Sequence, residues 1–166
     1  KIVRNYFQIL EDTYLGFRIR PWKKSKNRRM IETEKFYLFD IGVTNYLARR
    51  IPRLGSYEFG KAFEHYILME LMAFQAYKKP ETEITFWRTS TQQEVDFLID
   101  DEVAIEVKST KKVLPKHLLG LHALKEEKKI RKFYVVSEDP IERTSNGVII
   151  MNWTSFLKAL WNGEII

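Results

Sequence analysis

The chain contains no cysteine, and its 166 residues include only seven glycines and five prolines. Without thiols it can form neither a disulfide nor a thiolate metal site. It also has no apolar run that approaches the roughly 20 residues a membrane-spanning helix needs. These absences exclude disulfide-stapled scaffolds, cysteine zinc sites and membrane spans, so we expect a soluble protein of the cytoplasm with no membrane partner.

The composition favours a packed structure. Hydrophobic residues make up 45% of the chain and aromatic residues 14%, which argues for a real core and against disorder. A length of 166 residues suffices for one domain, or for one domain with a smaller appendage. The chain opens at Lys1 on a helical pattern without an initiator methionine, so we expect it to be part of a longer protein.

Positive charge is concentrated in the first third of the chain. Residues 1–53 contain 13 Lys and Arg against 5 Asp and Glu, whereas residues 54–166 contain 15 against 17. The net charge of +6 therefore comes entirely from the first segment. Such an asymmetry predicts that the N-terminal segment meets a polyanion and that the remainder has a different task.

Residues 1–53 have the pattern of a helix followed by a strand hairpin, which is typical of the back half of a winged helix. The predicted elements are a helix, two strands and a short helix, at 1–14, 17–22, 36–40 and 43–50. The character of the chain changes at 51–53. We therefore predict a partial winged-helix segment over 1–53 and a second domain over 54–166.

A strongly basic loop joins the two predicted strands of the first segment. In KKSKNRR five of seven residues are cations, namely Lys23, Lys24, Lys26, Arg28 and Arg29. Five cations can neutralise several phosphates, and Trp22 beside them can stack or insert, so we expect nonspecific contact with DNA. A solvated loop tip and contact with another protein module are the alternatives.

Residues 54–166 are predicted to form an α/β domain, with a mixed sheet flanked by helices. The helical stretch at 57–77 has apolar residues around most of its circumference, as expected of a helix packed on a sheet. The other predicted elements are strands at 83–88, 94–99, 103–108, 132–137 and 148–151, and helices at 115–129 and 154–161.

Strand alternation predicts where the acidic side chains of the second strand point. Successive side chains on a strand face opposite sides of the sheet. Glu94 and Asp96 are therefore expected on one face, and Val95 and Phe97 on the other. An Asp between two apolar residues is unusual in a strand, which singles out Asp96.

The following strand carries a second carboxylate with a lysine beside it. In AIEVKST, alternation places Glu106 and Lys108 on the same face. The polar residues 100–102 predict a tight turn, which would fold the two strands into a hairpin and bring Asp96 beside Glu106. This is the layout of a divalent-metal site with a lysine at its edge.

Each of these residue types has a task in phosphodiester hydrolysis. Mg²⁺ or Mn²⁺ prefers hard oxygen ligands and keeps several waters, so one Asp and one Glu suffice to hold it. The reaction needs a polarised phosphoryl oxygen, a deprotonated water and relief of charge in the transition state. Lys108, two residues after a ligand, can provide the last of these or orient the water. The alternative is a solvated sheet face with cross-strand ion pairs.

The motif resembles that of the PD-(D/E)xK nuclease superfamily, which includes Holliday-junction resolvases and restriction endonucleases. Its residues are, in chain order, Gly60, Glu64, Asp96, Glu106, Val107 and Lys108. The segments LEDTYLGFRIRPW, KFYLFDIG, GKAFEHYILMEL and EVDFLID…IEVKST more closely resemble the C-terminal region, of the DUF4143 type, of a bacterial and archaeal AAA-type ATPase family. This chain has no G-x-x-x-x-G-K-[ST] motif, so the ATPase module would lie upstream, in another part of the protein.

The resemblance implies a restriction-endonuclease-like fold and a role for each motif residue. It makes Asp96 and Glu106 ligands of Mg²⁺ or Mn²⁺, joined by the backbone carbonyl of Val107. Lys108 would position or activate the attacking water. Glu64 would reach the metal or its waters from the preceding helix. The activity implied is metal-dependent cleavage of DNA.

Two assignments and the function itself have alternatives. Glu70, which falls among aromatic residues of the same helix, is a rival of Glu64. Lys111, Lys112 and Lys116 follow the hairpin, where they either meet a phosphate backbone or act as solubilising charges. The predicted function is a DNA-handling tail of an ATPase with a metal-dependent nuclease site. The alternative is a non-catalytic nuclease-fold module that binds nucleic acid or protein.

Overall fold

The computed structural model describes residues 2–25 and 28–166, and its strands form one mixed sheet. In chain order these strands are β1 Gly16–Pro21, β2 Lys35–Leu38, β3 Ile84–Arg88, β4 Glu94–Ile99, β5 Val103–Lys108, β6 Lys132–Ser137, β7 Arg143–Ser145 and β8 Val148–Asn152. Across the sheet the order is β2-β1-β3-β4-β5-β6-β8-β7. The predicted mixed α/β class is confirmed.

Helices cover both faces of the sheet. They are α1 Ile2–Asp12, α2 Ile41–Leu47, α3 Tyr57–Lys78, α4 Leu119–Lys125 and α5 Trp153–Trp161, with a 3₁₀ turn at Pro115–Leu118 before α4. Apolar residues of α3 and α5 pack on one face and those of α4 on the other. No helix within the described ranges has both the length and the apolar character needed to cross a bilayer.

The secondary structure differs from the sequence prediction in one helix and one strand. The helix predicted over 115–129 ends at Lys125, and Lys128 has a left-handed φ of 54°, which a continuing helix does not allow. The short strand β7 was not predicted. It pairs antiparallel with β8 through a turn at Asn146 and Gly147, both of which have positive φ.

The hairpin of β1 and β2 belongs to the same sheet as the rest of the molecule. β1 pairs antiparallel with β2 on one side, and on the other it pairs parallel with β3, with Arg20 opposite Thr85. The division of the chain at residue 53 stays a prediction. In the structure, however, strands from both predicted segments share one hydrogen-bonded sheet.

A bulge in β4 changes the predicted direction of its side chains. Thr85 lies opposite Leu98, but Trp87 lies opposite Val95, so β4 has one residue more than β3 in this interval. Val95 consequently packs on the α4 face and Phe97 on the α3 face. The expectation that these two residues share a face is wrong, because an extra residue resets the two-residue period.

The predicted hairpin of β4 and β5 is confirmed. Phe97 lies opposite Ile105, and Ile99 lies opposite Val103. On β5 the apolar residues Ile105 and Val107 belong to the core on the α3 face. This register puts Asp96 at the level of Glu106, just beyond the last paired residues.

Helix α4 lies against the backbone of β4, and a glycine allows this contact. A Cβ atom on Gly120 would lie 2.0 Å from the carbonyl oxygen of Glu94. Backbone cannot yield to that overlap in the way a flexible side chain can. The close approach therefore fixes the start of β4, where the acidic residues lie.

We expect Gly120→Ala to destabilise the protein by about 1–3 kcal/mol, because overlap with the β4 backbone outweighs the gain of about 1 kcal/mol that Ala brings to a helix. Urea unfolding followed by circular dichroism measures the change. Gly42→Ala in α2 is the matched control, since its Cβ meets only the side-chain end of Asp40, at 3.1 Å. Equal effects of the two substitutions would contradict this account of α4 packing.

Candidate functional site

A cleft of about 390 Å³ lies where the β4–β5 hairpin meets the N-terminal half of α3. The residues singled out by the motif all contribute to its lining. They are Gly60, Glu64, Asp96, Glu106, Val107 and Lys108. The structure therefore brings one helix and two strands together around the acidic residues.

Asp96 lies where β4 and β5 begin to separate. The paired ladder ends at Phe97 and Ile105. Beyond this pair, the backbone amide of Val107 points toward β4 and donates to Asp96 Oδ2 at 2.8 Å. In a continuing antiparallel ladder this amide would pair with a backbone carbonyl of the neighbouring strand. A side chain takes its place here, which opens the fork in which the cleft lies.

Glu106 has one satisfied and one unsatisfied carboxylate oxygen. Its Oε1 accepts from the ammonium group of Lys108. Its Oε2 is buried and has no hydrogen-bond partner within the described part of the chain. Because a buried polar atom without a partner is costly, this oxygen would be stabilised by a further ligand.

Glu64 is buried and faces the sheet. It accepts from Tyr37 Oη and Lys61 Nζ, each at 2.7 Å, and Lys35 Nζ lies at 3.4 Å. On a helical wheel of α3, Glu64 lies at the margin of the polar side, as a surface glutamate would. The structure instead places it among charged groups beneath the sheet, with 6% of its surface exposed.

Lys35 is a part of the site that sequence reasoning missed. Its Nζ lies 2.6 Å from Glu94 Oε1 and 3.9 Å from Asp96 Oδ1, besides its contact with Glu64. It also lies 5.1 Å from the centre of the Phe86 ring. The only signal in the sequence is that Lys35 and Tyr37 lie two residues apart on β2. This spacing predicts that they share a face of the strand, but not which residues that face contacts.

Burial and the charge of a neighbouring carboxylate hold each of the two motif carboxylates toward its protonated form. For Asp96, burial and then the charge of Glu64 raise the pKa to about 6, against the opposing charges of Lys108 and Lys35. For Glu106, burial and then the charge of Asp96 raise the pKa to about 8. Carboxylates with raised pKa values in a cleft are typical of functional sites.

Glu64 and Lys108 are held in their charged forms. Burial alone would raise the pKa of Glu64, but the charges of Lys35 and Lys61 outweigh it and lower the pKa to about 2. Burial would lower the pKa of Lys108, but the charges of Glu106 and Asp96 outweigh it, so this pKa is raised. Lys108 therefore remains a cation at neutral pH.

The donor atoms at the fork fit a hard divalent cation, although their present arrangement does not form a metal cage. Over residues 2–25 and 28–166, no group of three or more His, Cys, Asp or Glu side chains has metal-holding geometry. The carboxylates instead turn toward ammonium groups. Glu106 Oε2, which has no partner in the part of the chain that the structure describes, and the neighbouring Asp96 carboxylate are nevertheless oxygen donors of the kind that Mg²⁺ and Mn²⁺ prefer.

The basic loop runs along another part of the molecule. Lys24 pairs with Asp101 at 2.6 Å, on the turn at the opposite end of the hairpin from the fork. Arg28 pairs with Glu126 and also donates to Gln93 at 2.9 Å. Of the other predicted DNA-contacting residues, Lys23 and Arg29 are exposed, whereas Lys26 lies outside the described residues.

The ring of Trp22 is not available to stack on a base. Only 3% of the residue is exposed, and its Nε1 donates to Asp101 at 2.9 Å. Packed in the α4-side core, it supports the base of the loop.

The other candidate residues, Glu70 and the three lysines after β5, lie in different places relative to the cleft. Glu70 is half-buried and accepts from Trp161 Nε1 at 3.1 Å, so it serves the packing of α3 on α5 and not the cleft. Lys111, Lys112 and Lys116 are exposed beyond the end of β5. These three lysines thus lie in the segment that follows the cleft residue Lys108.

Comparison with models of protein families assigns most of the chain. Residues 59–156, more than half of its length, match a domain of unknown function named DUF4143. The chain belongs to the DUF4143 family. Residues 1–54 match a second domain of unknown function, DUF8612. No curated protein and no solved structure matches this DUF4143 member.

We expect Glu106→Gln to stabilise the metal-free protein at pH 8 by about 1–3 kcal/mol more than at pH 5. The folded-state pKa of Glu106, about 8, lies above the ordinary value of 4.5. Ionisation therefore costs the folded state increasingly as the pH rises through this window, and Gln removes that cost. Denaturant unfolding in EDTA at both pH values measures the difference.

Glu81→Gln provides the control, because Glu81 is exposed in the loop before β3. Its effect should be small and equal at the two pH values. A Glu106→Gln effect that does not depend on pH would contradict the assignment of a raised pKa to this carboxyl group.

Proposed function

We propose that this chain is a nuclease-like module that hydrolyses phosphodiester bonds of DNA with one Mg²⁺ or Mn²⁺. The observation that carries the proposal is the convergence of Asp96, Glu106 and Lys108 in one cleft at the fork of β4 and β5. A restriction-endonuclease-like fold is part of the proposal. The mixed sheet supports it, with a hairpin that presents these residues beside a helix that carries Glu64.

The chemistry divides between a cation and the protein groups around it. A dication held by Asp96, Glu106 and the Val107 carbonyl would polarise a phosphoryl oxygen and acidify a water. Attack of the water oxygen on phosphorus forms one P–O bond as the water gives up a proton to solvent, the ester P–O bond breaks, and the departing oxygen takes up a proton from solvent. The fixed ammonium group of Lys108 stabilises the negative charge that develops on the phosphoryl oxygens.

The surroundings of the cleft support contact with a phosphate backbone. The side chain of Lys61 is 43% exposed at the cleft while it holds Glu64. The exposed residues Lys111, Lys112 and Lys116 follow β5. Binding through such cations weakens steeply with salt, because it depends on release of counterions from the nucleic acid.

The proposal also includes the setting in which the module works. The resemblance of four segments to the tail of an AAA-type ATPase supports an upstream ATPase module in the same protein. DNA of a bacterial or archaeal cytoplasm is then the substrate within reach. The ATPase would bring the module to DNA, and the cleft would act on the phosphate backbone.

One observation favours a second candidate, a non-catalytic module that binds nucleic acid or protein. The carboxylates of the cleft are already neutralised by Lys35, Lys61 and Lys108, so the network can persist without a metal. Calorimetric titration with Mn²⁺ separates the candidates. Binding below millimolar concentration supports the nuclease, whereas intact DNA binding without any Mn²⁺ binding supports the second candidate.

We expect Asp96→Asn and Lys108→Met each to lower Mg²⁺-dependent DNA cleavage by at least about 10²-fold, the loss typical when a charge-stabilising group is removed. Cleavage of a labelled DNA is followed with and without EDTA, and circular dichroism verifies the fold. Glu102→Gln is the control, because Glu102 lies exposed on the turn at the far end of the hairpin. Cleavage that survives in both cleft variants would remove the mechanism.

A further inference from the structure

An ammonium group from the N-terminal hairpin lies among the carboxylates of the cleft. Lys35 Nζ lies 2.6 Å from Glu94, 3.4 Å from Glu64 and 3.9 Å from Asp96. These three acidic residues come from α3 and β4, whereas Lys35 comes from β2. A single positive charge therefore joins three carboxylates, one from α3 and two from β4.

The position of Lys35 is fixed and shielded from solvent. Its side chain is only 16% exposed, and its ammonium group lies over the ring of Phe86. A flexible surface lysine would gain little from such contacts, but a buried charge with several carboxylate partners is held firmly. The ammonium occupies the space into which the oxygens of Glu64, Glu94 and Asp96 point.

A divalent cation would make the same demands on this space. With Lys35 in place no three acidic side chains of the described residues have metal-holding geometry, but carboxylate oxygens are the ligands that Mg²⁺ and Mn²⁺ prefer. Nuclease sites with two metals place the ions about 3.5–4 Å apart, with one carboxylate shared between them. Asp96 has this intermediate position here, between Lys35 on one side and, on the other, Glu106 Oε2, which has no partner among the described residues.

We propose that Lys35 is a tethered replacement for a second metal ion. Its ammonium group holds Glu64, Glu94 and Asp96, so that no dication binds to these three carboxylates. The inference rests on the proposed function for the remaining metal position, at Asp96 and Glu106. An ammonium group supplies charge but no coordination site for water, so the single metal is the one that activates the nucleophile.

The test is to count Mn²⁺ ions bound by the wild-type chain and by Lys35→Met. Calorimetry gives the number and affinity, and electron paramagnetic resonance of free Mn²⁺ gives the number independently. We expect Lys35→Met to bind one Mn²⁺ per chain more than the wild type, at submillimolar concentration. Adding Glu94→Gln to the Lys35→Met chain should abolish the extra ion.

Two matched variants control for loss of charge in general. Lys35→Arg keeps a cation at the same place and should bind no additional Mn²⁺. Lys61→Met removes an ammonium that contacts Glu64 from the half-exposed side of the cleft, and it should also leave the number of ions unchanged. An additional ion in either control would overturn the assignment to the Lys35 charge.

The variants also test whether Lys35 is merely structural. Without its ammonium, three carboxylates repel one another, so Lys35→Met should unfold at a lower temperature in EDTA, and Mn²⁺ should restore more of its stability than it adds to the wild type. Lys35→Gln, which is less apolar, repeats the test if Met perturbs folding. Failure of Mn²⁺ to restore either variant, or an unchanged number of bound ions, overturns the inference.

The outcome separates this inference from the proposed function. A wild-type chain that binds no Mn²⁺ contradicts the metal position at Asp96 and Glu106. The Lys35 inference still stands in that case if Lys35→Met gains an ion. Conversely, if the wild type and Lys35→Met each bind one Mn²⁺, the proposed function is intact and the proposed role of Lys35 is rejected.

Discussion

The hydrogen bond from the Val107 amide to Asp96 Oδ2 is the interaction on which the rest of the site depends. It puts a side chain where the sheet would otherwise place a backbone carbonyl, so β4 and β5 part at this point. The bulge opposite β3 makes the change of direction possible, and α4 holds the start of β4 through the contact at Gly120. The cleft exists because the sheet opens here and its backbone groups are still satisfied.

Opening the fork collects negative charge that the protein must neutralise. Asp96 and Glu106 are both buried; the charge of Glu64 raises the cost of ionising Asp96, and the charge of Asp96 raises the cost of ionising Glu106. Lys108, on the same strand as Glu106, and Lys35, from the N-terminal hairpin, offset that cost. The hairpin lies in the part of the chain matched by DUF8612, and the carboxylates lie in the part matched by DUF4143. One site therefore needs both matched segments.

Features of the fold that depend on neighbouring residues could be predicted from the sequence, whereas features that depend on distant strands could not. The limits of β4 and β5 agree with the predicted strands, because alternation and turn residues are local signals. The bulge at Asp96 was not predictable, since it depends on the register with β3. Lys35 could not be placed either, because its position depends on parallel pairing between strands distant in the chain. The strand β7 was within reach, since Asn146-Gly147 is a strong hairpin signal.

A crystal structure of this chain soaked in Mn²⁺ tests the central claim most directly, because anomalous scattering locates the metal itself. The account predicts one anomalous peak at the fork, roughly 2.0–2.3 Å from oxygens of both Asp96 and Glu106, with the ammonium of Lys35 still among its carboxylates. Diffraction data with no peak between these two carboxylates at saturating Mn²⁺ would contradict it.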